Sequence, residues 1–404
     1  MDPLEILSNI HMLTPYYQAV FSSDEHRVVG YELLAYFKGD QQDLPIGSLF
    51  FDSSVPEEYR IEIDDTVLEM ALSDMIKVDG NLILFINRNP NLLMQGQGES
   101  TLQLLKKYEI KGLRLTNIVI EISMDDFSGD VEQLSHLLQY YKTYGLKIAV
   151  DDIGRKTSNL QTVGRLSPNI IRIDLQKLRL QTQLDTYEDV LYSFSLLARR
   201  VGATILYEDI EASYQLHYAW RNGGRYYQGY YLHKPTRQLV EVDILKERLR
   251  EECHQFIVFE KNRIKALYEL RDLLNERTQA VVSKIKKDLP INDWLLEIAK
   301  ELQDISFRLY VCNEDGFQLS ANVEKYDDFW EMKLDAYQKN WSWRPYFLEN
   351  IIRMRLNNKG LLSDLYNDID KAVTIRTFSF PLQDNQFLFV DLKYEYLYDL
   401  NVHL

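Results

Sequence analysis

Over the first 235 or so residues, short apolar runs alternate with longer stretches of helical period, and nothing else in the chain constrains its fold as much. The runs are Val28–Leu34, Leu82–Asn87, Ile118–Ser123, Lys147–Asp152, Ile170–Asp174, Ala203–Glu208 and Tyr226–Leu232. Each is rich in Val, Ile, Leu or Tyr and is too short and continuous for an ordinary amphipathic helix, so each predicts a buried strand. Stretches between them, such as Val131–Tyr144 and Glu188–Val201, place apolar residues at i, i+3 and i+4, the spacing of one helix face. Strand–helix alternation over about 240 residues argues for a parallel sheet, most economically a (β/α)8-type, TIM-like barrel of the α/β class. A doubly wound open sheet is the competitor. No GxGxxG or GxxxxGK[ST] follows a strand, which removes its usual nucleotide-binding forms.

The texture changes near residue 240, which sets the expected domains at 1–240, 241–288 and 289–404. From Leu239 to about Lys287 the chain is charged and helical, with Ile244, Leu245, Leu249, Phe256, Ile264, Leu267, Leu270 and Leu274 spaced in threes and fours. That spacing predicts one or two long linking helices, too irregular for a strict heptad coiled coil. An apolar stripe of this kind needs a cover, and pairing across a two-fold axis predicts a homodimer. Beyond Pro290, a helix (Asp293–Leu302) precedes a hairpin signal at Asn313-Glu314-Asp315-Gly316, and Thr374–Phe380 and Gln386–Leu392 flank another at Asp384-Asn385. These elements predict a small α+β domain.

The chemistry emerges when each run is read to its last residue. Glu32 lies late in the first, Asn87 closes the second, Glu121 sits near the end of the third and Asp151-Asp152 close the fourth. The fifth carries Arg172 and ends in Asp174, and the sixth ends in Glu208. In a barrel these ends converge on one rim, where active sites are built. A single acid after a strand is ordinarily a helix cap or a solvated loop residue, but a ring of them would repel itself without a cation. The donors are all oxygen, which favours Mg²⁺ or Mn²⁺ over Zn²⁺, and the seven histidines form no HxxxH or HxH pair. Metal-assisted phosphoryl chemistry or binding follows.

Charge narrows the partners. Lys plus Arg total 46 against 61 Asp plus Glu, a formal charge of −15, which disfavours duplex nucleic acid and anionic membrane surfaces. Two cysteines, Cys253 and Cys312, cannot build a disulfide framework. No basic leader or membrane-length apolar run is present, so the expectation is a soluble, cytoplasmic protein.

These residues resemble a known family. Tyr17-Gln18 followed by Val28-Val29-Gly30-Tyr31-Glu32-Leu33-Leu34 resembles the opening of the EAL domain, which binds and hydrolyses cyclic di-GMP. Phe85-Ile86-Asn87, Glu121-Ile122-Ser123, Asp151-Asp152-Ile153-Gly154, Arg172-Ile173-Asp174, Glu208-Asp209-Ile210-Glu211 and Gln228-Gly229-Tyr230, with Pro235 after it, follow in the family's order over roughly residues 14–245. The resemblance implies that Glu32, Asn87, Glu121 and Asp151 hold divalent Mg or Mn, with Ca as a further option. Asp152 would serve the second metal and the attacking water, and Glu208 would stand near that water. Gln18, Leu34, Asp152, Glu211, Gln228, Tyr230 and Pro235 fall on ligand-contacting positions. Farther on, Trp341-Ser342-Trp343-Arg344-Pro345-Tyr346-Phe347 and Ser363-Asp364-Leu365-Tyr366 resemble proteins in which an EAL barrel is followed by a PAS-like or Cache-like sensor. There Arg344, Tyr346, Asp364 and Tyr366 would line a pocket for an unknown small ligand or protein, or form a packed core with a buried Arg–Asp pair.

The chain departs from the family pattern at four places. The motif's central alanine is Leu33, and Ala35-Tyr36 stands where an arginine usually follows. Met124 replaces a glutamate that usually holds the loop after the next strand, and Arg172 replaces a lysine. An ammonium can approach a water and shift its pKa, whereas a guanidinium is planar, bulky and permanently charged. Gly154-Arg155-Lys156-Thr157-Ser158 also departs from the usual glycine-rich loop, although Arg155 and Lys156 could add basic charge for a dianionic ligand. The expectation is a cyclic di-GMP receptor with weak or no hydrolysis, and the alternative is a metal-dependent phosphodiesterase releasing linear pGpG.

Overall fold

The computed structural model describes residues 3–399 apart from 40, 53, 79, 126, 152–159, 177–183, 287, 328, 345–346 and 369–372. The chain divides into two compact units, Met1–Phe256 and Ile257–Leu404.

Eight strands of the first unit close into a barrel: β1 (Leu13–Ser22), β2 (Val28–Phe37), β3 (Ile83–Asn87), β4 (Ile118–Ser123), β5 (Lys147–Asp151), β6 (Ile170–Asp174), β7 (Thr204–Glu208) and β8 (Gly224–Tyr227). They pair in sequence from β2 to β8, and β1 bonds to both β8 and β2, closing the ring. The α/β, TIM-like barrel expected from the sequence is therefore present, with one correction to its direction. Strands β2 to β8 run parallel, but β1 is antiparallel to both neighbours. The short link from Ser22 to Val28 leaves no room for a crossover helix, and a tight link forces antiparallel pairing. Strand β1 was absent from the predicted runs because Thr14, Tyr16, Tyr17 and Gln18 interrupt its apolar character.

The last predicted run is also shorter than expected. Strand β8 stops at Tyr227, and Gly229 follows at φ +149°, where a Cβ would stand 2.2 Å from the Ile210 carbonyl oxygen. Glycine permits that close turn. Outside the barrel, α1 (Glu57–Met75) buries Ile63, Val67, Leu68, Ala71 and Leu72, spaced as one helix face. Helices α2 (Gly98–Glu109), α3 (Val131–Thr143), α4 (Leu160–Leu166), α5 (Leu184–Val201) and α6 (Ser213–Arg221) follow their strands. Asp130 caps α3 by accepting from the Glu132 amide, satisfying a donor the helix cannot satisfy itself.

Inside the ring lies a second, smaller apolar layer made by Val20, Ile83, Phe85, Val119, Ala149, Ile170 and Leu206. Gly30 lets β2 approach this layer, since a Cβ there would meet the Ile83 carbonyl oxygen at 2.3 Å. The barrel is thus plugged rather than open, as expected for eight strands.

From Lys246 to Lys284 the chain is one continuous helix of 39 residues, α7. In the second unit, α8 (Ile291–Glu301) buries Leu295, Ile298 and Ala299 in a core shared with an antiparallel sheet. Its strands are β9 (Ser306–Asn313), β10 (Asn322–Tyr326), β11 (Phe329–Lys333), β12 (Leu361–Leu362), β13 (Thr377–Pro381) and β14 (Gln386–Leu392), in spatial order β11-β10-β9-β14-β13-β12. Asp384 and Asn385 both adopt φ +57°, the geometry of a two-residue hairpin turn. The other predicted turn closes as well: Gly316 N donates to the Asn313 carbonyl at 3.1 Å, Asn313 N donates to the Phe317 carbonyl at 3.0 Å, and Cys312 pairs antiparallel with Gln318 before the return strand begins at Asn322. Among the described residues, no helix is long and apolar enough to cross a membrane.

Candidate functional site

The barrel's inner layer determines what stands above it. Side chains alternate along a strand, so the residues two positions beyond Phe85, Val119, Ala149, Ile170 and Leu206 point inward one level higher. Those residues are Asn87, Glu121, Asp151, Arg172 and Glu208. Strand β1 runs the other way, so the level above Val20 is reached two residues earlier, at Gln18. Gln18 sits in register with Glu32, Asn87 with Glu121 and Asp174 with Glu208. A single apolar floor therefore carries a polar ring, and the ring lines a cavity of about 530 Å³.

Arg172 is the centre of this ring and is buried. Its Nη2 donates to Glu32 Oε2 at 3.1 Å and also to Glu208 Oε2, while Nη1 makes an ion pair with Glu121 Oε1. Glu32 further accepts from Asn87 Nδ2 at 2.8 Å and from Gln228 Nε2 at 2.6 Å. Burial alone would push the Glu32 carboxyl up, but the Arg172 charge and these hydrogen bonds hold it below its ordinary value. Burial likewise opposes the charge on Arg172, and Glu208 and Glu32 outweigh it, raising the guanidinium further.

Of the residues singled out from the sequence, Gln18, Glu32, Leu34, Asn87, Glu121, Asp151, Arg172, Glu208 and Gln228 line this one cavity. Glu211, Tyr230 and Pro235 are not among its lining residues. Glu211 is exposed, Tyr230 is exposed beside Lys234, and Pro235 precedes Thr236, whose backbone bonds to that of Tyr17. Asp152, Arg155, Lys156 and Tyr346 lie outside the described residues. Met124 is buried in the main core of the unit, so an apolar contact occupies the place where the family's pattern has a carboxylate. In the second unit, Arg344 stacks over Trp341 with its Cζ 4.4 Å from the ring centre, and Asp364 is exposed. Neither makes the buried Arg–Asp pair, which belongs instead to Arg308 with Asp391 and Asp368.

Two arginines of the cavity were not anticipated. Arg88 follows Asn87 and is buried, bonding to Asp64 and, at 3.3 Å, to Asp65. Arg60 lies in the first turns of α1. In the sequence, the stretch Glu57-Glu58-Tyr59-Arg60-Ile61-Glu62 reads as a solvated helix face, and no periodicity separates its arginine from an ordinary surface charge.

Glu32, Asn87, Glu121 and Asp151 offer hard oxygen donors of the kind that suit Mg²⁺, Mn²⁺ or Ca²⁺. Glu121 Oε1 is taken by Arg172, while its buried Oε2 accepts no hydrogen bond among the described residues. Among the described residues no three acids, imidazoles or thiols converge closely enough to form an ion cage by themselves. Arg172 stands between the carboxylates. In donor chemistry the ring fits a hard divalent ion, with a guanidinium already seated beside it.

The comparisons agree with this architecture. Residues 6–235 match the EAL domain, and residues 239–404 match an EAL-domain associated signalling protein domain. The chain belongs to the EAL-domain family. Its similarity extends over its whole length to YkuI of Bacillus subtilis (strain 168), described as an uncharacterized EAL-domain containing protein. The two are 51% identical over 401 residues, covering 99% of this chain and 98% of that one. The crystal structure of B. subtilis YkuI in complex with c-di-GMP and calcium matches with a TM-score of 0.95 at 49% identity, covering 100% of both chains. A probable cyclic di-GMP phosphodiesterase of Escherichia coli (strain K12), PdeG, is 24% identical over 61% of this chain and 50% of its own length.

Proposed function

We propose that this chain is a cyclic di-GMP-binding signalling protein that holds the dinucleotide at the barrel rim beside a divalent ion and hydrolyses it weakly or not at all. One observation carries the second half of this reading: Arg172 is bound into Glu32, Glu121 and Glu208 together. The full-length similarity to a protein crystallised with c-di-GMP and calcium supports the first half.

Glu32, Asn87, Glu121 and Asp151 would hold the ion, Mg²⁺ or Mn²⁺ with Ca²⁺ as in the relative. When bound, such an ion neutralises phosphate oxygens and lowers the pKa of a water. Gln18, Leu34, Gln228 and Asp152 would contact the ligand from the rim, with Glu211, Tyr230 and Pro235 reaching it from outside the described cavity. Asp152 and Glu208 would serve the attacking water. Glu208 is engaged by Arg172, and a guanidinium neither gives up nor takes a proton near neutral pH. Loss of correctly placed acid–base chemistry costs about 10²–10⁴-fold in rate.

Titration with cyclic di-GMP, with and without Mg²⁺ or Mn²⁺, tests the reading when combined with product analysis. Saturable binding with little pGpG is expected, and no heat at near-millimolar ligand would end the idea. The alternative, a metal-dependent phosphodiesterase, is favoured by the family's activity and by the likeness to PdeG. Under the receptor reading, Arg172→Lys combined with Met124→Glu should raise hydrolysis at least about tenfold, or 1.4 kcal/mol of barrier, and each change alone should do less. A wild-type chain that already turns over at ordinary phosphodiesterase rates would put the alternative first.

The second unit would act as a PAS-like or Cache-like sensor for an unknown small ligand or protein, within the division 1–240, 241–288 and 289–404. Exposed Ile257, Phe259, Ile264 and Tyr268 on α7 support a homodimer. Light scattering that gives a 47.8 kDa monomer at every concentration would reject it.

A further inference from the structure

Among the described residues, the barrel cavity is lined by seven carboxylates and three arginines. A dianionic ligand entering it meets an adverse field, so it matters which arginine still has charge to offer. Arg172 is engaged by three carboxylates. Arg88 is engaged by Asp64 and Asp65. Arg60 differs from both. Its side chain is 10% exposed, and its carboxylate partner, Glu57 Oε1, stands 4.0 Å away on a half-exposed side chain. Nη1 donates to the neutral Phe50 carbonyl at 3.3 Å. Nε is buried without a hydrogen-bond partner among the described residues, as it is in Arg88 and Arg172, so what sets Arg60 apart among the cavity's arginines is the lack of a close carboxylate.

We infer that Arg60 is the phosphate clamp of this cavity, a guanidinium that takes the non-bridging oxygens of a phosphodiester ligand. The inference rests on the reading that the cavity binds a cyclic dinucleotide. Two properties point to the phosphate rather than to a base. The Arg60 charge is the least compensated of the three, and its fork matches a pair of phosphate oxygens. Its bond to the Phe50 carbonyl anchors the side chain through Nη1 and leaves Nη2, 4.0 Å from Glu57, as the nitrogen with most freedom to meet a ligand.

The test uses the full-length chain, a fixed Mg²⁺ concentration and calorimetric titration with cyclic di-GMP at two salt concentrations. R60Q should weaken binding about 10- to 100-fold and flatten its salt dependence by about one charge. R60K should keep the salt dependence and recover part of the affinity, because it keeps the charge without the fork. Thermal unfolding of each variant separates these effects from a fold defect, and R60K carries the test if R60Q does not fold. A wild-type chain that binds, with R60Q equal to it within about twofold and equally salt-sensitive, overturns the clamp. For R60K alone, wild-type affinity does the same. A wild-type chain that fails to bind overturns the reading of the cavity itself.

Discussion

Each unit of this protein buries an arginine among three acids, and the two clusters are built for different ends. In the barrel, Arg172 meets Glu32, Glu121 and Glu208 at the wall of an open cavity, and Glu121 Oε2 accepts no hydrogen bond among the described residues. In the second unit, Arg308 donates to Asp391 Oδ2 at 2.5 Å and to Asp368, with Glu324 at 3.9 Å. That cluster is closed by further donors. Thr377 Oγ1 donates to Asp391 Oδ1 at 2.5 Å, and Tyr326 Oη donates to Glu324 at 2.8 Å. A buried charge cluster that satisfies its lone pairs internally is a structural element, whereas one that leaves acceptors facing a cavity is prepared for something else. The arginine and its acids look alike in both places, and the surrounding donors tell them apart.

The sharpest way to break this comparison is to remove each arginine in turn. Arg308→Met should cost about 3–5 kcal/mol, because it strands three buried carboxylates. Chemical unfolding should report that loss unchanged on adding millimolar Mg²⁺ or Mn²⁺, and recovery by either ion would make the second cluster a metal site as well. Arg172→Ala should cost somewhat less, about 2–4 kcal/mol in the presence of a chelator, since Glu208 and Glu32 border the cavity and can be reached by water. Here divalent ions should restore much of the stability by binding the folded state. A variant whose unfolding ignores them would reduce the rim cluster to a second structural pair.

The smallest effect is in pH. Glu32 is held below its ordinary value of 4.5, so its stabilising contribution is present above that value and is lost as the pH falls below it. Asp391 behaves oppositely. Burial raises it above 3.8 despite the opposing Arg308 charge, so its folded form takes up a proton first, and its contribution to stability declines as the pH rises from 3.8 through the raised value. Hydrogen exchange between pH 6 and pH 4 should therefore show the Asp391 neighbourhood gaining protection as the pH falls, whereas the loss around Glu32 begins only below 4.5. Parallel behaviour of the two would show that their electrostatics do not differ as described.

Much of the barrel could be read directly, because strands buried on both faces leave long apolar runs and their last residues fall on one rim. That reading reached Glu32, Asn87, Glu121, Asp151, Arg172 and Glu208 without any contact information. It missed β1, whose tyrosines and Gln18 dilute the apolar signal, and it could not give that strand's direction, since period says nothing of polarity. Arg60 and Arg88 were out of reach for a different reason. A charged residue on a helix face or after a strand reads as solvated unless the fold that covers it is known. Arg308 sits between Phe307 and Leu309 in a strand buried along most of its length, where nothing in the pattern reveals its burial with three acids. A buried Arg–Asp pair does exist in the second unit, but it is made by Arg308 and Asp391, which strand register brings together and which no local motif marks.

The apolar layer beneath the polar ring also bears on how such a pocket can diversify. Val20, Phe85, Val119, Ala149, Ile170 and Leu206 fill the barrel directly beneath the ring that lines the cavity, and close-packed interiors tolerate little change of volume. Inherited variation that deepened the pocket from below would be removed by failure to fold before any new specificity could be tried. Lineages descending from such a barrel are therefore free to explore at its walls and loops, on residues such as Leu34, Phe50 and Arg60, while the base of the pocket stays fixed in depth. Recognition in this architecture changes sideways.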